Sequence, residues 1–118
     1  VQTGFAMKSN LGFSLTKIGS GALLLEPYDN LNPLQPEPMI EVISENLLNS
    51  NIKKLYYDLN KVLIIDEIYY SWLNTLSKTC SIFQTRLITI NMKPSAAVSL
   101  SSFLNTKPSF ETEIEMTI

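Results

Sequence analysis

Apolar and polar residues alternate along Phe13-Ser-Leu-Thr-Lys-Ile18, the period-two pattern of a half-buried strand. Gly19-Ser-Gly21 is a hairpin signal, and Ala22-Leu-Leu-Leu25 reads as a second, more buried strand. The run from Pro27 to Pro38 holds four prolines, those two included, with Asp29, Asn30 and Asn32, a composition that predicts a long irregular connection. Pro36 or Pro38 can open a helix, because the first helical position needs no amide hydrogen. Met39, Ile40, Val42, Ile43, Leu47 and Leu48 then follow at helical spacing, and Asn49-Ser-Asn51 stops the run. Lys54-Leu-Tyr-Tyr-Asp-Leu59 predicts an aromatic-rich strand, and Val62-Leu-Ile-Ile65 a short apolar run, itself read as strand, that halts at Asp66.

From Asp66 the period becomes helical, with Tyr69, Trp72, Leu73, Leu76, Cys80 and Phe83 on one face. Asp66 suits the N-cap, where its carboxylate accepts from free first-turn amides, and Glu67 would then face the positive end of the helix dipole. Arg86-Leu-Ile-Thr-Ile-Asn91 is another strand, and Ala96 to Leu104 a short helix with Pro94 near its start. Residues 110–118 alternate weakly, as a last edge strand would. The order β-β-α-β-α-β-α-β predicts an α/β domain with a mixed, mostly parallel sheet of four to five strands, the first hairpin supplying an antiparallel edge. Residues 1–12 read as a leader or flexible N-terminus, and residues 13–118 as the domain.

With 118 residues, 45% apolar and 17% charged, the chain suits one hydrophobic core. The net charge of −2 and the pI near 5.0 argue against nucleic acid as a partner. Lys53-Lys54 is the only basic doublet, read as the solvated lip of a strand. Without histidine there is no Ser-His-Asp triad, no Cys-His dyad and no common zinc site, so no metal, no cofactor and no catalytic residue is expected. The single cysteine, Cys80, sits in an apolar helical pattern as a small buried hydrophobe, and its solitude fits a reducing compartment such as the cytoplasm. No apolar run reaches the ~20 residues that span a bilayer, so direct membrane insertion is not expected.

The most informative segment is Leu63-Ile-Ile-Asp-Glu-Ile-Tyr-Tyr70: an apolar stretch ending in two carboxylates at a helix start, where open α/β sheets bind ligands or partners. Plain helix capping explains the acids as well. Adjacent residues at a helix start diverge, so Asp66 and Glu67 make a poor acid/base pair. Tyr56, Tyr57, Tyr69, Tyr70 and Trp72 suggest a stacking platform for bases. The competing reading, favoured by the acidic charge, puts one tyrosine of each pair inside and one outside. Lys93 and Ser95, at a strand end leading into a helix, are placed as an anion or nucleotide contact would be, without a glycine-rich loop.

In this order, Lys54-Leu-Tyr-Tyr-Asp-Leu59, Val62-Leu-Ile-Ile-Asp66, the following helix, Leu87-Ile-Thr-Ile-Asn91 and Lys93-Pro94 with Ala96, Ala97 and Leu100 resemble a STAS domain of the anti-sigma-factor antagonist type. The resemblance runs from Phe13 to Ile118. It implies a non-enzymatic regulatory module that docks an anti-sigma factor, a switch kinase or a signalling scaffold. In that family the strand ends in Asp-Ser and the serine is phosphorylated. Asp66 matches the aspartate, whereas Glu67 stands where the serine would be and Ile68-Tyr69-Tyr70 where small residues usually follow. The implied contact surface is Asp66, Glu67, Ile68, Tyr69, Tyr70, Ser71 and Asn74, with Lys78 and the Leu31–Pro38 loop nearby. Glu67, with one charge against about −1.5 to −2 for a phosphoserine, would be a partial phosphomimetic or a favourable first-turn acid. The resemblance leaves open a homodimer, and an alternative role as accessory STAS subunit or cytoplasmic domain of a membrane transporter.

Overall fold

The computed structural model describes residues 6–102, 104 and 107–117, the first four of these as backbone alone. Six strands stand side by side in chain order: β1 (Ala6–Ser9), β2 (Phe13–Ile18), β3 (Ala22–Pro27), β4 (Lys54–Asp58), β5 (Arg86–Ile90) and β6 (Glu111–Thr112). The pairs β1–β2 and β2–β3 are antiparallel, and β3–β4, β4–β5 and β5–β6 are parallel. Three helices among the described residues, α1 (Pro36–Leu48), α2 (Glu67–Ile82) and α3 (Pro94–Ser101), follow β3, β4 and β5 in turn. The sheet is mixed and mostly parallel, as expected.

Each parallel step moves in the same direction across the sheet. Right-handed crossovers then deliver every helix to the same face. The packing agrees: Met39 and Ile43 of α1, Trp72, Leu73 and Leu76 of α2, and Ala96 and Leu100 of α3 join one core with Phe13, Leu25, Leu55, Tyr57 and Leu87. The opposite face holds a smaller cluster, Ala22, Tyr56, Ile88 and Ile90, with Ile18, Leu24 and Met116 partly buried against it. There the chain beyond β6 returns as cover, and the Tyr56 hydroxyl donates to the Thr117 carbonyl at 2.8 Å. Because both faces are covered, Tyr56 and Tyr57 are both fully buried, while Tyr69 and Tyr70 are both half-buried. The expected inside–outside split of each tyrosine pair is therefore wrong.

Three further boundaries differ from the sequence reading. The N-terminal stretch contributes a strand, since Ala6–Ser9 pairs with Phe13–Thr16 in antiparallel register. Residues 62–65 form no strand: β4 is already flanked by β3 and β5, and the apolar run that follows it is bonded to α3 instead. The last strand is only Glu111–Thr112, held beside β5 by the two-pronged pairing of Arg86 with Glu111 at 2.8 and 2.6 Å. Cys80 is buried, which pushes its thiol up to about 12, the behaviour of an inert apolar side chain.

Gly12 turns the chain between β1 and β2 with φ +92°, and its carbonyl accepts from the Tyr28 amide at 2.7 Å. A Cβ there would run into the backbone of Leu31. Left-handed strain of ~1–2 kcal/mol and overpacking of ~1–3 kcal/mol add together in Gly12→Ala. The expected loss is about 2–5 kcal/mol in urea unfolding; an unchanged midpoint would show that the β2 entry is not this tight.

Candidate functional site

The chain leaves β4 through a sequence of small polar locks. The Asp58 carboxylate accepts from the Asn60 amide at 2.9 Å and from the Asn91 side-chain amide at 3.0 Å, and the Val62 amide donates to the Leu59 carbonyl at 3.0 Å. The next residues are tied to α3. Ser95 Oγ donates to the Leu63 carbonyl at 2.6 Å, and the Ile65 amide donates to Ser99 Oγ at 2.9 Å, which itself donates to the Ala96 carbonyl at 2.8 Å. Between these two bonds the backbone of 63–65 has little freedom. Ile65 is buried in the core, and Leu63 and Ile64 are left 63% and 64% exposed. Two large aliphatics held in water by backbone locks are costly for folding alone, which makes them candidates for contact.

Asp66 caps α2 as the sequence predicts. Its Oδ1 accepts from the Tyr69 amide at 2.8 Å, and its carbonyl accepts from the Tyr70 amide at 2.9 Å. Glu67, the first helical residue, is exposed, as is Ile68 at 45%. Ser71 and Lys78 are exposed further along the helix. Tyr70 turns instead toward Phe110, edge-on at 6.0 Å, and Asn74 Oδ1 accepts from Ser109 Oγ at 2.7 Å. These two residues hold the segment before β6, so of the expected contact residues Glu67, Ile68 and Ser71 face outward around the Asp66 cap, beside the exposed Leu63 and Ile64.

Beneath this surface runs a chain of buried polar atoms. Trp72 Nε1 donates to the Tyr57 hydroxyl at 2.9 Å, and that hydroxyl lies 2.6 Å from the Tyr69 hydroxyl. The Tyr57 and Tyr69 rings meet edge to face, 6.4 Å apart. Tyr69 reaches a shallow groove of about 240 Å³ that also contains Tyr28, Leu31, Pro33, Val62, Leu63 and Ile64. Burial raises the Tyr57 phenol well above its ordinary range, helped by the neighbouring Tyr69, and burial pushes Tyr69 up to about 12. Lys93 and Ser95 lie at the α3 start, but the Ser95 hydroxyl is engaged by Leu63. A second opening of about 510 Å³ runs past Lys93 between Asn60, Asn91, Thr112 and Glu113. Among the described residues no group of three or more Cys, Asp or Glu comes together as a metal shell, and no helix is long and apolar enough to cross a membrane.

Sequence reasoning missed the exposure of Leu63 and Ile64 by reading them as strand. The signal available was the position of Ile65 just before the N-cap, where a hydrophobic residue usually folds inward against the first turns. That leaves its two predecessors without a place inside. Nothing in the sequence marks Ser95 and Ser99 as their anchors.

The tyrosine pair sets a pH dependence. A phenol with a raised folded-state pKa binds its proton more tightly in the native state, so its contribution is complete below the ordinary value of 10 and is lost as pH rises toward and beyond 12. Wild-type stability is expected to fall between pH 10 and 12, and Tyr69→Phe to flatten that slope, measured by urea unfolding at each pH. Tyr57→Phe leaves the Trp72 indole N–H unpaired and should cost about 1–3 kcal/mol already at neutral pH. Equal slopes for wild type and Tyr69→Phe would contradict the burial of this hydroxyl.

No family model matches the chain, and no curated protein does. Among solved structures it is similar to RsbS of Moorella thermoacetica carrying a serine-to-glutamate substitution, with TM-score 0.69 and 16% identity over 92% of this chain and 89% of that one. It is also similar to a protein designated TM1081, with TM-score 0.70 and 16% identity over 97% of this chain and 88% of that one. At such low identity the likeness is one of fold, and it agrees with the STAS-like α/β architecture that the sequence resemblance implies.

Proposed function

We propose that this chain is a non-enzymatic regulatory module that docks a protein partner through the turn from Leu63 to Ser71, with Leu63, Ile64 and Ile68 as apolar anchors and Glu67 as the charged contact. The observation that carries the reading is the pair Leu63–Ile64, held outward by Ser95 and Ser99. Burying a full aliphatic side chain in an interface yields ~1.5–3 kcal/mol, so two or three such residues, already ordered, offset a large share of the cost of association. The STAS architecture supports a regulatory partner such as an anti-sigma factor, a switch kinase or a signalling scaffold. Glu67 has no hydroxyl to phosphorylate. Docking in this chain therefore runs without the serine switch at that position, and the fixed carboxylate supplies part of the charge that a phosphate would bring.

Affinity capture from native lysate, with the recovered proteins identified by mass spectrometry, tests this. An ATPase-like regulator should be retained by wild type and lost with Ile64→Asp, about thirtyfold or more in affinity, as for an interface hot spot worth about 2 kcal/mol or more. Glu67→Ser should weaken the same contact several-fold. Recovery of a transporter ATPase or permease would redirect the role to a transport complex. Undiminished capture by Ile64→Asp would exclude the turn as the docking surface.

A further inference from the structure

The net charge of −2 conceals two opposite poles. At the end where β4 and β5 finish, exposed Asp29, Asp66 and Glu67 lie about the Leu63–Ile64 knob, together with Lys61 and, at the α3 start, Lys93. At the end where the parallel strands begin, Lys53 and Lys54 enter β4, while Arg86, opposite Lys54 on β5, is already paired with Glu111. Here lies a groove of about 200 Å³, opening on Ile18, Gly21, Ala22 and Tyr56 and bordered by both lysines. Its floor is apolar and two lysines border it, the complement of an apolar knob followed by the exposed carboxylate of Glu67. Strand β4 separates the two features, so one molecule cannot join its own knob to its own groove.

We propose that copies of this chain associate head to tail, the Leu63–Glu67 turn of one seating in the groove between β2, β3 and β4 of the next, with Glu67 facing Lys53 and Lys54. A patch and a pocket on different surfaces give a heterologous contact, which repeats into a closed ring or an open row. Because the same turn carries the proposed docking of a regulatory partner, a bound partner and a neighbouring copy exclude each other.

Sedimentation velocity of the whole chain over a range of concentrations tests the contact. Wild type should gain mass as concentration rises. Glu67→Lys, and separately Lys53→Glu with Lys54→Glu, should each weaken association at least tenfold, with circular dichroism confirming the fold. An equimolar mixture of the two variants should associate again, since their reversed surfaces complement each other. The lysine variant should still capture the regulatory partner, which keeps this proposal separable from the docking role. A wild type that stays monomeric overturns it. So does association indifferent to the lysines, or a mixture that fails to recover.

Discussion

Parallel strands in one sheet need a crossover, and crossovers of the βαβ type are right-handed. From β3 onward every new strand is added on the same side, so that rule sends α1, α2 and α3 to one face. It also collects the turns that follow β3, β4 and β5 at one end of the sheet, where α2 and α3 begin. The other face is left to Ala22, Tyr56, Ile88 and Ile90 and to the returning tail at Met116 and Thr117. The location of the candidate site is a consequence of topology before any particular side chain is considered.

Local chemistry then shapes that end. Because α3 starts beside the turn that leads into α2, its serines can satisfy the turn's backbone: Ser95 bonds the Leu63 carbonyl and Ser99 the Ile65 amide. Asp66 continues the same function one residue later by capping α2. Held at these points, the segment stays in place without a strand partner, and Ile65 enters the core. The tyrosine hydroxyls and the Trp72 indole satisfy one another below it, which lets a polar chain lie in an apolar layer without an unpaired group.

Much of the fold was legible because its signals are local. The alternation of Phe13–Ile18, the helical face through Trp72 and Leu76, the proline at the head of α1 and the aspartate cap of α2 each depend on neighbours a few residues away. What was not legible depends on distant ones. The Leu63–Ile64 pair looks like strand until β3 and β5 are known to occupy both sides of β4. Tyr56 looks like the outward partner of Tyr57 until the tail, about sixty residues later, covers it (|i−j| = 61). Asn74 looked like an exposed contact because its bond to Ser109 spans an equally unpredictable gap. Within the site, the capping residues were readable and the apolar anchors were not.

The central claim is that Leu63 and Ile64 stand in solvent as an ordered docking surface while Ile65, beside them, is core. A paramagnetic relaxation agent dissolved in the sample, read on the methyl groups by NMR, measures this residue by residue. Strong enhancement at Leu63 and Ile64 with little or none at Ile65 is the result the account predicts. Equal protection of all three methyl-bearing residues would contradict it, because the turn would then be packed inward and its anchors unavailable to any partner.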